Sequence, residues 1–254
     1  MKEISFSFLL PPLYNTAAHN LKRMCGFREG DEEDAAMLAD ALDVHDRWAE
    51  DADIDAIAVF QGRESVNGNM LTACGVSLTC PAFELVDTRK LTSVIFYAIT
   101  LKQAESNIRG EQGEDNIMAA FYADAWANAY LEAGMYELRM RLLKSAPIMG
   151  AALLAGIPAH GAVLSDSFGP GFYGMELTEL HKMAQIIDFS KIGAQVTENA
   201  VIHPMKSHCG ILFAATDIGG LPSAGCRECV GDRRGCRYCT RYAGDAGNQV
   251  EKNG

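Results

Sequence analysis

The stretch Ser167-Phe168-Gly169-Pro170-Gly171-Phe172-Tyr173-Gly174-Met175 has glycine or proline at four of nine positions, so it reads as a sharp turn and not as a regular element. Downstream, Thr178 to Ile187 has a helical pattern and Asp188 to Gly193 a turn composition. Gln195 to Val201 and His208 to Ala215 then read as a strand pair joined through Pro204, Met205 and Lys206.

Upstream, Asn15 is placed to cap a helix from Thr16 to about Cys25, with Gly26 as its stop. Asp31, Glu32, Glu33 and Asp34 load the first turn of a second helix, where the dipole favours negative charge. Met37, Leu38, Ala41, Leu42, Val44 and His45 supply its inner face. Ile54 to Phe60 and Leu78 to Val86 read as strands with an irregular link from Gly62 to Asn69, and Ser93 to Ile99 as a buried strand. Gly113 to Lys144 is helical, with Met118, Tyr122, Ala125, Trp126, Ala129, Tyr130 and Ala133 at helical spacing and Gly134 placed to kink or divide it. Strands and helices mix without regular βαβ alternation, so the expected class is α+β.

At 254 residues, 48% hydrophobic and 22% charged, the composition is that of a globular protein large enough to bury a core without disulfides or metal. Lysine and arginine total 22 against 33 acidic residues, a net charge of −11, which argues against a general nucleic-acid binder. The longest apolar stretch, Ala146 to Leu164, is broken by Pro147, Gly156, Pro158, His160 and Gly161. A spanning helix needs about 18 uninterrupted apolar residues, so no membrane association is expected. Glu3 and the Pro11-Pro12 pair fit a signal peptide poorly, and a cytoplasmic location is expected.

The eight cysteines divide unevenly. Cys25, Cys74, Cys80 and Cys209 are scattered, and packing is role enough for them. Cys226, Cys229, Cys236 and Cys239 form a C-x-x-C, six residues, C-x-x-C pattern, in which each tight turn brings two thiolates to one metal. Zinc and an iron-sulfur cluster both take four such ligands, and reactive thiols or disulfides are the remaining reading. The absence of the close-spaced ferredoxin run leans toward zinc. Arg227, Arg233, Arg234, Arg237 and Arg241 make this the basic part of an acidic chain, suited to holding thiolates ionised or to docking an acidic partner. Two parts are therefore expected, a body at 1–220 and a metal-binding tail at 221–254.

The Pro-Gly-aromatic turn, then Leu177-Thr178-Glu179 opening a helix, Ile187 to Gly193, Val196-Thr197-Glu198-Asn199 to Pro204, and Ser207 to Phe213 resemble, in that order, the activation domain of vitamin B12-dependent methionine synthase. Met24-Cys25-Gly26-Phe27 and Val94 to Leu101 ahead of the long helix resemble the stand-alone versions of that family, so the resemblance spans about residues 15 to 216. It implies one C-shaped α+β domain with a bent antiparallel sheet and long helices. Such a domain binds S-adenosylmethionine and docks on a corrinoid-binding protein, or on the corrinoid domain of a methyltransferase, that supplies the cobalamin. The implied activity is reductive methylation, which returns oxidised cobalt(II) to its methylated form. An iron-sulfur cluster in the tail would serve that electron demand.

The family usually carries an arginine three residues before the proline of the turn, suited to clamping a carboxylate bidentately. Ser167 stands there, and a hydroxyl does not supply the charge. The backbone amides of the turn that runs from Gly169 through Pro170 and Gly171 to Gly174, as an anion-binding nest, and Lys206 are the available substitutes. Glu198 is the candidate acceptor for the ligand's ammonium group or a solvated strand carboxylate. Tyr173 either stacks on adenine or corrin or packs in the core, and His203 and His208 either face the corrinoid or lie on the surface. The alternative function is a non-enzymatic adaptor that binds a corrinoid protein, or an iron-sulfur electron-delivery protein, which has lost S-adenosylmethionine.

Overall fold

The computed structural model describes residues 2–28, 30–49, 52–110, 117–156, 161–217 and 221. The tail cysteines Cys226, Cys229, Cys236 and Cys239 lie outside the described residues.

Three strands with apolar residues on both faces form the centre: β2 (Asp53–Gln61), β6 (Leu91–Leu101) and β10 (Ser207–Ala215). β1 (Lys2–Leu9) flanks β2 and the two-residue β7 (Val163–Leu164) flanks β10, giving a curled antiparallel sheet in the order β1-β2-β6-β10-β7. Alternation divides each strand between two cores. Ile54, Ala56, Ile95, Tyr97, Ile99, Leu212 and Ala214 face a helical layer. Ile57, Val59, Val94, Phe96, Ala98, Ile211 and Phe213 face a layer of short elements. Burial on both faces explains why these strands lack polar alternation.

The helical layer holds α1 (Tyr14–Cys25), α2 (Glu32–Trp48), the short α3 (Ala104–Gly110), α4 (Ile117–Leu143) and α5 (Ala146–Leu154). Asp31 caps α2, accepting from the amides of Glu33 and Asp34. Met37 is exposed, so the inner face of α2 is narrower than its apolar pattern suggests. α1 begins two residues before the position that Asn15 would cap: a 3-10 turn at Pro11–Leu13 leads directly into it, and no side chain caps it. α4 runs unbroken through Gly134, where a Cβ would stand 2.8 Å from Ile54 Cδ1; the missing side chain lets the helix lie close on β2. Trp126 on α4 donates its indole N–H to Ala41 O at 2.7 Å, and Tyr130 meets His45 Nε2 at 2.7 Å. Gly150 in α5 has open space around its Cα, so Gly150→Ala should raise stability by about 0.5–1 kcal/mol in a denaturant titration; a decrease would contradict this reading of α5.

The other layer contains a small sheet of β3 (Val66–Asn67), β4 (Met70–Ala73) and β5 (Val76–Thr79), a 3-10 turn at Pro81–Leu85, α6 (Glu179–Met183) and a 3-10 turn at Phe189–Ile192. The strand expected at Leu78 to Val86 ends at Thr79, because Pro81 opens the 3-10 turn. The helix expected at Thr178 to Ile187 is one short helix followed by turns. The expected strand at 195–201 is only β8 (Gln195–Val196), which pairs with β9 (Ile202–His203) across a turn containing Ala200 at φ 55°. β10 pairs instead with β6, since a strand apolar on both faces belongs between two layers and not in a surface hairpin. No helix among the described residues is long and apolar enough to cross a membrane.

Candidate functional site

The Pro-Gly turn is held against the outer edge of β10. Phe168 exchanges backbone hydrogen bonds with Ile211, and Ser165 N–H donates to Phe213 O at 2.9 Å. Arg139 of α4 secures the same segment, donating to Ser165 O at 2.7 Å. Gly169 lies so close to β10 that a Cβ would stand 2.8 Å from Cys209 O. The chain then turns at Pro170 and Gly171, the latter at φ 86°, with Phe172 N–H donating to Gly169 O.

A groove of about 290 Å³ opens beside this turn, lined by Pro170, Leu180, Ala200, Ile202, Ser207 and Cys209 among others. Around it stand four large apolar side chains, Phe172, Leu177, Val201 and Met205, each 49 to 71% exposed. Together they form a contiguous apolar platform of the kind that soluble surfaces use for binding.

The expected site residues divide among separate tasks. Ser167 is not presented to the groove as a ligand group: its hydroxyl lies 2.5 Å from Tyr97 OH, and Tyr97 OH lies 2.8 Å from His208 Nδ1. Gly210 makes room for this cluster, because a Cβ there would overlap Ser167 Oγ and stand 3.0 Å from both Phe168 O and Tyr97 OH. Burial pushes the Tyr97 phenol well above its ordinary value and the His208 imidazole below its ordinary value. A histidine that folds into a neutral form binds fewer protons folded than unfolded. Its contribution is present above about pH 6.5 and is lost as pH falls through the unfolded value toward the lower folded one. His208→Gln should therefore flatten the fall in melting temperature between about pH 7 and pH 5; an unchanged slope would show that His208 does not titrate in this way. Burial also pushes the Cys209 thiol up to about 12, so it stays protonated and serves packing, not nucleophilic attack.

Lys206 is fully engaged. Its Nζ is 2.7 Å from Asp124 Oδ1 and donates to Asn128 Oδ1 at 2.9 Å, while Asn128 Nδ2 donates to Asp124 Oδ2 at 3.0 Å. This closed ring ties the β9-β10 connection to α4 and borders a second groove of about 500 Å³ between α1 and α4. Glu198 is exposed in the turn that Thr197 and Val201 close, and it does not line the groove. The Tyr173 ring packs on Phe168 at 4.7 Å, while its carbonyl accepts from Cys80 Sγ. His203 faces Glu105 of α3 at 3.6 Å.

Sequence reasoning missed Phe172, Leu177, Val201 and Met205 as the groove's rim and Tyr97 as the partner of Ser167. The pairing of large apolar residues with turn chemistry at Phe172 was the available signal; nothing local marks Tyr97. Among the described residues no group of three or more His, Cys, Asp or Glu side chains could hold a metal ion.

No protein-family model matches the sequence, and no curated protein does. Among solved structures, the chain is similar to the crystal structure of the MetH reactivation domain bound to AdoHcy, with a TM-score of 0.61 at 13% identity over 85% of this chain and 79% of that one. The chain therefore has the fold of that reactivation domain, with its mixed helices and strands and its curled antiparallel half-barrel sheet.

Proposed function

We propose that this protein serves the reactivation of a corrinoid-dependent methyltransferase, docking on a corrinoid-carrying partner while holding S-adenosylmethionine beside the Pro170-Gly171 turn. The apolar platform of Phe172, Leu177, Val201 and Met205 around the groove carries this reading: it is the surface on which a corrinoid partner would seat. The similarity to a reactivation domain that binds AdoHcy supports it. The corrinoid belongs to the partner and is a substrate of this chain. S-adenosylmethionine supplies the methyl group, and a low-potential one-electron donor supplies the electron that converts cobalt(II) to nucleophilic cobalt(I). The protein contributes positioning and exclusion of water.

The groove fits an adenosyl group better than it fits a free carboxylate. Its lining is mostly apolar, Ser167 is held by Tyr97, and Lys206 by Asp124 and Asn128. The turn amides at Gly169 and Gly171 to Gly174, with Glu198 nearby in sequence order to the groove's Ala200 and Val201, are the groups proposed to meet the amino-acid end. Incubation with an inactive cobalt(II) partner, a reductant and S-adenosylmethionine should generate methyl-cobalt absorption; an unchanged cobalt spectrum would remove this reading. The second reading, an adaptor without S-adenosylmethionine, is favoured by the engagement of Ser167 and Lys206. Calorimetry with S-adenosylmethionine separates the two, since heat of binding supports the first and its absence the second.

We further propose that residues 221–254 form a metal-binding module separate from the body at 1–220, with Cys226, Cys229, Cys236 and Cys239 as ligands. Metal analysis after anaerobic purification should find stoichiometric zinc or iron. The Cys226→Ser/Cys239→Ser pair should lose it with the body's melting transition unmoved; metal retained by that variant would place the site elsewhere.

A further inference from the structure

β1 is the outermost strand of the five-stranded sheet, and its free edge is open. Residues of an antiparallel strand direct their backbone groups alternately to the two sides. The register that sets Ile54 opposite Leu101 sets Asp53 opposite Lys102, and Lys102 N–H donates to Asp53 O, so the odd-numbered residues of β2 bond to β6. The even-numbered residues of β2 therefore bond to β1, where they face Lys2, Ile4, Phe6 and Phe8. Glu3, Ser5, Ser7 and Leu9 direct their N–H and C=O groups away from the sheet, and among the described residues no backbone group reaches them. Ile4 to Leu10 contains neither charge nor proline, the devices by which exposed edges are commonly protected from pairing. β2 and β6 lie between this strand and β10, a separation of about 14 Å, so the edge is distinct from the groove beside the Pro-Gly turn.

We infer that this edge is the seam of a homodimer, in which β1 pairs antiparallel with β1 of a second copy about a two-fold axis at Phe6. Of the registers that bring outward-facing residues together, the one centred on Phe6 alone engages all of them on both strands. Ser5 exchanges hydrogen bonds with the partner's Ser7, and Glu3 with the partner's Leu9. The same register sets Phe6 against the partner's Phe6 at a non-hydrogen-bonded position, where side chains stand closest, and Ile4 against the partner's Phe8. Phe8 is buried in the helical-layer core, whereas Ile4 and Phe6 are only half-buried at its margin, so the pairing continues one apolar face from protomer to protomer. Lys2 and Glu3 fall opposite the partner's Leu10 and Leu9, and no like charges are opposed. That matters for a second copy, because each chain carries a net charge of −11 and two such chains associate most readily through an uncharged seam. The joined sheet leaves the edge of β10 untouched in both protomers.

The test uses the full-length chain under reductant, so that cysteines cannot link two copies. Sedimentation should show a monomer–dimer equilibrium that shifts toward dimer as salt screens the repulsion between chains. In hydrogen exchange on the ¹⁵N-labelled chain, the Ser5 and Ser7 amides should slow by about tenfold or more as the dimer forms. The Ile4 and Phe6 amides, already bonded to β2, should be protected at every concentration. Ser5→Pro removes an outward-facing N–H, a position at which an edge strand tolerates proline, and should weaken dimerisation by about tenfold or more with the monomer still folded. Should that variant not fold, exchange at Ser5 and Ser7 in the parent chain decides alone. A chain that stays monomeric, a dimer in which the Ser5 and Ser7 amides exchange freely, a folded Ser5→Pro chain that dimerises as the parent does, or association that weakens with added salt would each overturn the assignment.

Discussion

Gly210→Ala is expected to destabilise the protein by about 3 kcal/mol, combining overpacking with the loss of a buried hydrogen bond. The new methyl group meets three walls at once: Ser167 Oγ, Phe168 O and Tyr97 OH. Phe168 O is backbone and Tyr97 is fully buried, and the third wall, Ser167 Oγ, can give way only by leaving its hydrogen bond to Tyr97. Relief requires Ser167 to move off Tyr97 or the turn segment to lift from Ile211. For a chain of 254 residues this corresponds to a melting temperature lower by about 6–12 °C. A change within about 2 °C would mean that the turn segment yields easily and that the cluster does not hold the turn in place. If the variant melts as expected but binds S-adenosylmethionine as the parent chain does, the cluster is a structural clasp alone.

The second large effect concerns the platform. Phe172→Asp places a charge at the centre of the apolar surface that would contact a corrinoid partner. Central aromatic residues of interfaces commonly account for 2 kcal/mol or more, so affinity for the cobalt(II) partner should fall by about thirtyfold or more. Because Phe172 is more than half exposed, the melting temperature should barely change. Unchanged partner affinity in a stably folded variant would place the docking surface elsewhere, and the groove between α1 and α4 would be the next surface to test.

How much of this was legible in the sequence depends on how local the physics is. α2 is announced by its acidic first turn and α4 by a long 3.6-residue pattern, so the start of the first and the C-terminal end of the second are found closely. β2 and β6 are legible because the apolar runs Ala56 to Phe60 and Val94 to Ile99 within them need burial on both faces. The start of α1 was misplaced because the Pro11-Pro12 pair begins a 3-10 turn that makes a side-chain cap unnecessary. The partner of β10 was misassigned because proximity in sequence favours a hairpin, whereas its apolar residues on both faces demand a place beside β6, more than a hundred residues earlier at every pair. The Pro-Gly turn could be read from composition alone. The hydroxyl cluster behind it could not, since Tyr97 sits within an apolar run and meets Ser167 and His208 only after three separate segments have folded together.

That cluster also restricts how the sequence can change. Ser167→Arg by itself would not supply a guanidinium clamp, because the side chain would enter space already filled by Tyr97 and His208 above a glycine that tolerates no methyl group. A cation at position 167 needs coordinated replacement on β6 and β10, with intermediates that leave buried polar groups unpaired. The serine is thus held by mutual dependence with Tyr97 and His208, and no single substitution exchanges it for a working arginine.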